Sequence, residues 1–182
     1  MIEPTDKDGR AGSLVVLTGA SGSGKTAIAL AIEKTHPEIS VFRFDTIRVP
    51  PAEVMATFGE GHQPGGAWQR AMTLKWFDII APLVGEGKRV LFEGQMRIAF
   101  VQEALARHGG LAARIVLVEC DDATRDARLI YERKQPELAN ESMRAWSRYL
   151  HDEAVAAGCD ILDTTGEPLA ESVASALEYL KS

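Results

Sequence analysis

Long apolar stretches are missing from this chain: no run approaches the roughly 18 residues that a membrane-spanning helix needs. The first residues, MIEPTDKDGRAGS, carry acidic side chains and no apolar centre, unlike a secretory leader. A cytoplasmic protein with no membrane partner is therefore expected. Positive charge is also in deficit, since 20 Lys and Arg against 26 Asp and Glu leave a net charge of -6. That removes any broad electrostatic basis for a nucleic-acid partner. Cysteine is scarce as well. Cys120 and Cys159 have no metal-ligand spacing, and each adjoins a strand-like apolar run, so buried free thiols are expected in preference to a redox pair. Internal repeats are absent. So is any N-K-x-D segment of the kind that reads guanine, which argues against a switch GTPase.

What is present is the composition of one globular domain: 182 residues, 46% hydrophobic and 25% charged, enough to bury a full core. Residues 1–12 are polar and without periodicity and read as a disordered tail; residues 13–182 read as a single domain. The stretch that organises the rest is GASGSGKT, formed by Gly19, Ala20, Ser21, Gly22, Ser23, Gly24, Lys25 and Thr26. It satisfies G-x-x-x-x-G-K-[ST] at every fixed position. It also lies between an apolar strand (Leu14 to Leu17) and a helical segment (Ala27 to Ile32), the context this phosphate-binding loop requires. Small residues let consecutive backbone N–H groups curl round a phosphate, and the following helix points its positive end at the same anion. Lys25 then reaches the outer phosphates, and the Thr26 hydroxyl is placed to ligand Mg²⁺.

Further along, the helix after this loop is expected to stop before His36-Pro37. Ile39 to Phe44, Arg89 to Phe92, Arg114 to Val118 and Asp160 to Leu162 read as four more short strands. Between them lie a Pro- and Gly-rich connection with a short helical piece (Ala52 to Phe58) and four longer helices. The first has an apolar stripe of Trp68, Met72, Trp76, Ile79, Ile80 and Leu83, which suits core packing better than a substrate pocket. The second runs from about Ile98 to His108. The third carries Arg125, Arg128 and Arg133, is capped by Asp121 or Asp122 and is broken by Pro136. The fourth follows Asn140 with Met143, Trp146 and Leu150 on its buried side. A terminal helix presents Leu169, Val173, Leu177 and Leu180 on one face. Five strands alternating with helices predict a three-layer α/β/α fold with a five-stranded parallel sheet. Gly19, Asp45, Glu93, Asp121 and Asp163, each just past a strand, should then share one sheet edge, where ligands bind.

Two of those strand ends pair an acid with a base. FDTIR places Asp45 and Arg48 three residues apart, and EGQMR places Glu93 and Arg97 four apart. Phosphoryl transfer needs cations on the donor, an aligned acceptor and a group for any acceptor proton, and these residues supply candidates for each role. Here the chain resembles the nucleoside and nucleoside-monophosphate kinase group of P-loop phosphotransferases, over most of Ser13 to Leu180. FDTIR is similar to the D-x-x-R segment of adenylate kinases and EGQMR to their D-G-x-P-R segment, although Glu93 replaces aspartate and Met96 replaces proline.

The resemblance implies ATP and Mg²⁺ as cofactors, with Arg48 and Arg97 positioning the acceptor and Glu93 serving the metal. It implies a short arginine-bearing lid over about 125–140, with Arg125 at the nucleotide and Arg128 and Arg133 closing over the transferring phosphoryl. It also implies an adenine-holding loop at Thr164 and Thr165 and an acceptor-side helical region over about 46–84. Gln102 matches an acceptor-base-reading glutamine only with a one-residue offset. The same scaffold resembles kinases of hydroxyl groups, including nucleoside, sugar-acid and antibiotic kinases, in which an acid near Asp45 or Glu93 is the base. A phosphate acceptor needs clamping cations, whereas a hydroxyl acceptor must lose a proton, and Asp45 is the preferred base because Glu93 has a competing metal role. The expected activity is ATP-dependent phosphotransfer to a small molecule by a monomer or homodimer. The rival reading is an ATP-bound regulatory module without transfer.

Overall fold

The computed structural model describes residues 12–47, 50–59, 65–109 and 111–181. Five strands, β1 (Ser13–Thr18), β2 (Ile39–Arg43), β3 (Arg89–Gly94), β4 (Ala113–Glu119) and β5 (Asp160–Asp163), form one sheet in the order β2-β3-β1-β4-β5. Every pairing is parallel. The connections hold α1 (Lys25–Thr35), α2 (Ala52–Ala56), α3 (Ala67–Gly85), α4 (Ile98–Arg107), α5 (Asp122–Ala127) and α6 (Glu141–Ala157), and α7 (Leu169–Tyr179) closes the chain. The α/β class and the parallel five-stranded sheet are those read from the sequence. Among the described residues no helix is long and apolar enough to cross a membrane.

The unbroken apolar run of β1 has a simple cause. Leu14 and Val16 enter one core with Phe92, Phe77, Ile80 and Val101, while Val15 and Leu17 enter another with Ile28, Ile32, Val118 and Leu162. A strand buried on both faces needs apolar residues at every position. The first core lies under α3 and α4, the second under α1 and α7. A third, smaller cluster seats α6 on β4 through Ile98, Leu117, Leu150 and Ala154.

In α3 the buried face is turned relative to the predicted stripe. Trp76 and Ile80 are buried as expected, but Phe77 and Val84 are buried too, while Ile79 is 45% exposed. Apolar residues nearly surround this helix, so its period alone does not choose the face; packing of Trp76 and Phe77 on Phe92 does. The tryptophans are core residues: Trp76 is buried, and Trp68 packs edge-on against Phe44 with ring centroids 6.0 Å apart. In α7 the centre of the buried face is Ser172, Ala176 and Leu180, and Leu169 is 48% exposed. Both cysteines are free thiols, Cys120 buried and Cys159 only partly so.

β1 sits centrally, with β3 on one side and β4 on the other. The chain leaves β1 at a point where its neighbours diverge, which is where parallel sheets open a crevice for ligands.

Candidate active site

At that crevice the loop from Gly19 to Gly24 crosses the end of β4 so closely that a Cβ on Gly19 would lie 2.2 Å from the Val118 carbonyl oxygen. Gly22 has φ +82°, and a Cβ there would lie 2.9 Å from Arg125 Cγ. Only glycine meets both demands. The helix that follows begins on Gly24, which offers no capping side chain, and its first turn has no acid. Its N-terminal N–H groups are thus left for an anion from elsewhere. The Ser23 hydroxyl is buried within the loop and has no hydrogen-bond partner among the described residues. Lys25 is buried and donates to the Ala20 carbonyl at 3.1 Å. Burial holds its pKa below the usual lysine range, against the opposing pull of Glu93 and Asp45.

Both acids stand where the sheet edge puts them. Glu93, at the end of β3, is buried, and both its oxygens accept from the Thr26 hydroxyl at 3.3 Å. Its pKa is pushed up chiefly by burial, which outweighs the attraction of Lys25. Asp45 reaches the crevice because the chain does not extend β2 through Phe44, as the sequence suggested. It coils instead into a short 3-10 turn, Phe44–Thr46, anchored by the buried Phe44 ring. Asp45 then lines a cavity of about 500 Å³ with Gly22, Gly24, Lys25, Thr26, Arg128, Arg133 and Thr164. Leu30 of α1 and Leu169 of α7 line it too.

The two arginines on this cavity owe their common position to a break in helical geometry. α5 is capped by Asp121, whose carboxylate accepts from Thr124 N at 2.7 Å, and continues as a π-helical turn over Arg128–Glu132. Arg133 N donates to Arg128 O at 2.9 Å, closing that wider turn. In a regular α-helix residues five apart point about 140° apart; the π turn brings them back into line, as such insertions often do at functional sites. Arg128 donates to Thr164 Oγ1 at 2.8 Å, to Thr164 O at 3.0 Å and to Ser23 O at 3.3 Å. The Thr164 hydroxyl in turn donates to Ser23 O at 2.8 Å. The loop after β5 is therefore tied to the phosphate loop through one guanidinium and one hydroxyl.

Arg125, expected at the nucleotide, does not line this cavity. On α5 it faces inward, fully buried, donating to Cys120 O at 3.3 Å and Ser147 Oγ at 3.1 Å and pairing with Asp122. It braces the loop from behind. Thr165 also turns away, its hydroxyl accepting from Asp121 N at 2.8 Å. Ser21 donates to Gln95 Oε1 at 3.1 Å, and Ala20 is buried.

Of the residues expected on the acceptor side, Arg48 lies outside the described residues. Arg97 precedes α4 and spreads its guanidinium over the rings of Phe100 and Tyr149, 5.1 and 5.0 Å from their centroids. The backbone beneath it is held by residues that sequence reading did not single out. Thr18 Oγ1 exchanges hydrogen bonds with Met96 O and N, and Gln69 donates to Gln95 O at 2.6 Å and accepts from Arg97 N at 3.1 Å. Gln69→Ala is expected to strand those two backbone groups and lower stability by about 1–3 kcal/mol, measurable as a shift of the denaturant midpoint. Gln102 lines a cleft with Ser13, Ala113 and Asp160, at the opposite sheet edge from Asp45 and Glu93.

No protein-family model matches the chain, and no curated protein sequence is significantly similar to it. Solved structures are similar. A gluconokinase from Sinorhizobium meliloti 1021 superposes with TM-score 0.65 at 19% identity, over 94% of this chain and 93% of that one. A shikimate kinase from Acinetobacter baumannii gives TM-score 0.60 at 15% identity, over 94% of each chain. A thymidylate kinase from Candida albicans gives 0.61 at 13%, over 94% and 92%. The fold is that of the P-loop small-molecule kinases. Within that kinase fold, the phosphate loop, Asp45, Glu93 and the π-turn arginines meet at the carboxyl edge of the sheet.

Proposed function

We propose that the chain is an ATP-dependent phosphotransferase that moves the γ-phosphoryl of ATP to a small molecule. The observation that carries this reading is the single cavity joining an uncapped helix N-terminus, Lys25, Asp45 and the paired Arg128 and Arg133. The likeness to three kinases of small molecules supports it.

In this reading the loop from Gly19 to Thr26 would hold the triphosphate, and Leu30 and Leu169 would offer apolar contact to the nucleotide. Lys25 leaves the Ala20 carbonyl for the outer phosphates, and Arg133 balances charge on the transferring group. Arg128 joins it and keeps the Thr164 loop closed on the nucleotide. Arg128 and Arg133 belong to a short lid over about 125–140, and 13–182 acts as one catalytic domain. Thr26 and Glu93, a hydroxyl and a carboxylate in contact, are a hard-oxygen pair suited to Mg²⁺, which keeps most of its water shell when protein ligands are few. When bound, the ion neutralises phosphate charge.

Glu93→Gln tests this pair without an acceptor. Because burial raises its pKa, ionised Glu93 costs folding free energy; that cost is present above the folded pKa and fades as pH falls through it toward the unfolded value. The variant is expected to melt above wild type without nucleotide, by about 2–4 °C per kcal/mol relieved. The difference should widen as pH rises from the ordinary carboxylate range. Protection by Mg²⁺ with ATP should shrink in the same variant.

A hydroxyl acceptor is favoured over a phosphate by the exposed Asp45 carboxylate on the cavity. It takes the hydroxyl proton as the oxygen attacks the γ-phosphorus and the bond to ADP breaks. Mass spectrometry of products from ATP with a panel of nucleosides, nucleotides, sugars and hydroxylated antibiotics tests the assignment. A bound but unconsumed ATP across that panel would favour the regulatory-module reading.

A further inference from the structure

The corner between β3 and α4 holds a carboxylate that phosphoryl transfer does not itself require. Glu153 comes from the C-terminal part of α6, yet its Oε2 accepts from Ile98 N at 2.7 Å and its Oε1 from Ala99 N at 3.4 Å. It occupies the positive end of α4, where an anionic ligand would otherwise sit. The same Oε1 lies 3.6 Å from Arg97 Nε, and the Tyr149 hydroxyl donates to it at 3.4 Å. The side chain is only 16% exposed. Arg97 thus faces an anion at ion-pair distance, with no hydrogen bond to its Nε among the described residues, and is held between aromatic rings.

This corner adjoins the transfer site. Met96 is bonded to Thr18 at the end of β1, and Gln95 to Ser21 of the phosphate loop. Among the described residues the groove beside Arg97, about 460 Å³, is otherwise lined by Gly65, Ser142, Ala145, Trp146 and Tyr149, none of them charged.

We propose that Glu153 is a built-in anion that fills the acceptor-side cation site, so that the acceptor is an uncharged hydroxyl compound and phosphate- or carboxylate-bearing acceptors are rejected. This rests on the phosphotransferase reading and narrows its substrate class. A phosphate arriving at Arg97 would have to displace Glu153 from three donors and then sit beside the released carboxylate. An uncharged, partly apolar molecule meets no such repulsion and gains the faces of Trp146 and Tyr149. Specificity of this kind comes from the disfavoured partner's cost as much as from the favoured partner's contacts.

The test is the affinity for inorganic sulfate, measured by calorimetry with the nucleotide loop filled by Mg²⁺ and a non-hydrolysable ATP analogue. Glu153→Gln keeps an oxygen for the α4 N–H groups while removing the charge. It is expected to bind sulfate at least about tenfold more tightly than wild type, and Glu153→Gln combined with Arg97→Gln should lose that gain. Equal sulfate affinity in wild type and a folded Glu153→Gln protein would overturn the proposal. A second measurement does not depend on the variants folding: wild-type transfer to thymidine against thymidine 5′-monophosphate, and to sorbitol against gluconate. Preference for the charged member of either pair would also overturn it. Failure of the ATP analogue to bind would instead remove the phosphotransferase reading on which the proposal rests.

Discussion

Replacing Lys25 with alanine is expected to lower phosphotransfer by at least about 10²–10³-fold while leaving the fold intact, the usual cost of deleting one preorganised charge from a transfer site. Two observations separate activity from stability here. Lys25 is buried, and among the described residues its side chain hydrogen-bonds to Ala20 O, a carbonyl of the phosphate loop itself. Its pKa is held down by burial against the pull of Glu93 and Asp45, so the ammonium costs folding free energy, which phosphate charge in the proposed site would offset. The alanine variant should therefore show an unchanged circular-dichroism spectrum and a melting midpoint no lower than wild type. ATP binding should weaken and turnover collapse. Near-normal turnover in that variant would take the loop out of the mechanism.

Asp45→Asn is the second large effect. As the group that accepts the hydroxyl proton, Asp45 should contribute about 10²–10⁴-fold to turnover. The amide keeps the side chain's shape on the exposed 3-10 turn, and Phe44 beside it holds that turn in the core, so no folding defect is expected. The loss should appear in kcat with the KM for ATP little changed. A variant with normal kcat on a hydroxyl acceptor would exclude Asp45 as the base.

The sheet was legible in the sequence because its strands are buried on both faces and so appear as short apolar runs. The edge on which Gly19, Asp45, Glu93, Asp121 and Asp163 meet followed from strand order alone. The caps Asp121 and Asn140 were legible too, since each acts on a residue three positions ahead. What sequence pattern did not reveal depends on contacts between distant segments. The buried face of α3 is chosen by Phe92 of β3. The inward turn of Arg125 is set by Cys120, Ser147 and Asp122, whereas a charged residue on a short helix reads as solvent-facing. The π turn is a single-residue change of register that leaves no periodic trace. Glu153 is 55 residues from the N–H group it caps, and within α6 it looks like any surface acid. Gln69 is similar: one polar position among apolar ones, whose meaning comes only from the corner at Gln95 and Arg97.

The most direct test of the central claim is ³¹P NMR of ATP and Mg²⁺ incubated with the protein and the acceptor panel, followed by mass analysis of any new species. The account predicts ADP in step with a phosphorylated, previously uncharged hydroxyl compound, and neither product with Lys25→Ala. ATP that binds yet remains unchanged with every compound, or that yields only inorganic phosphate, would contradict it.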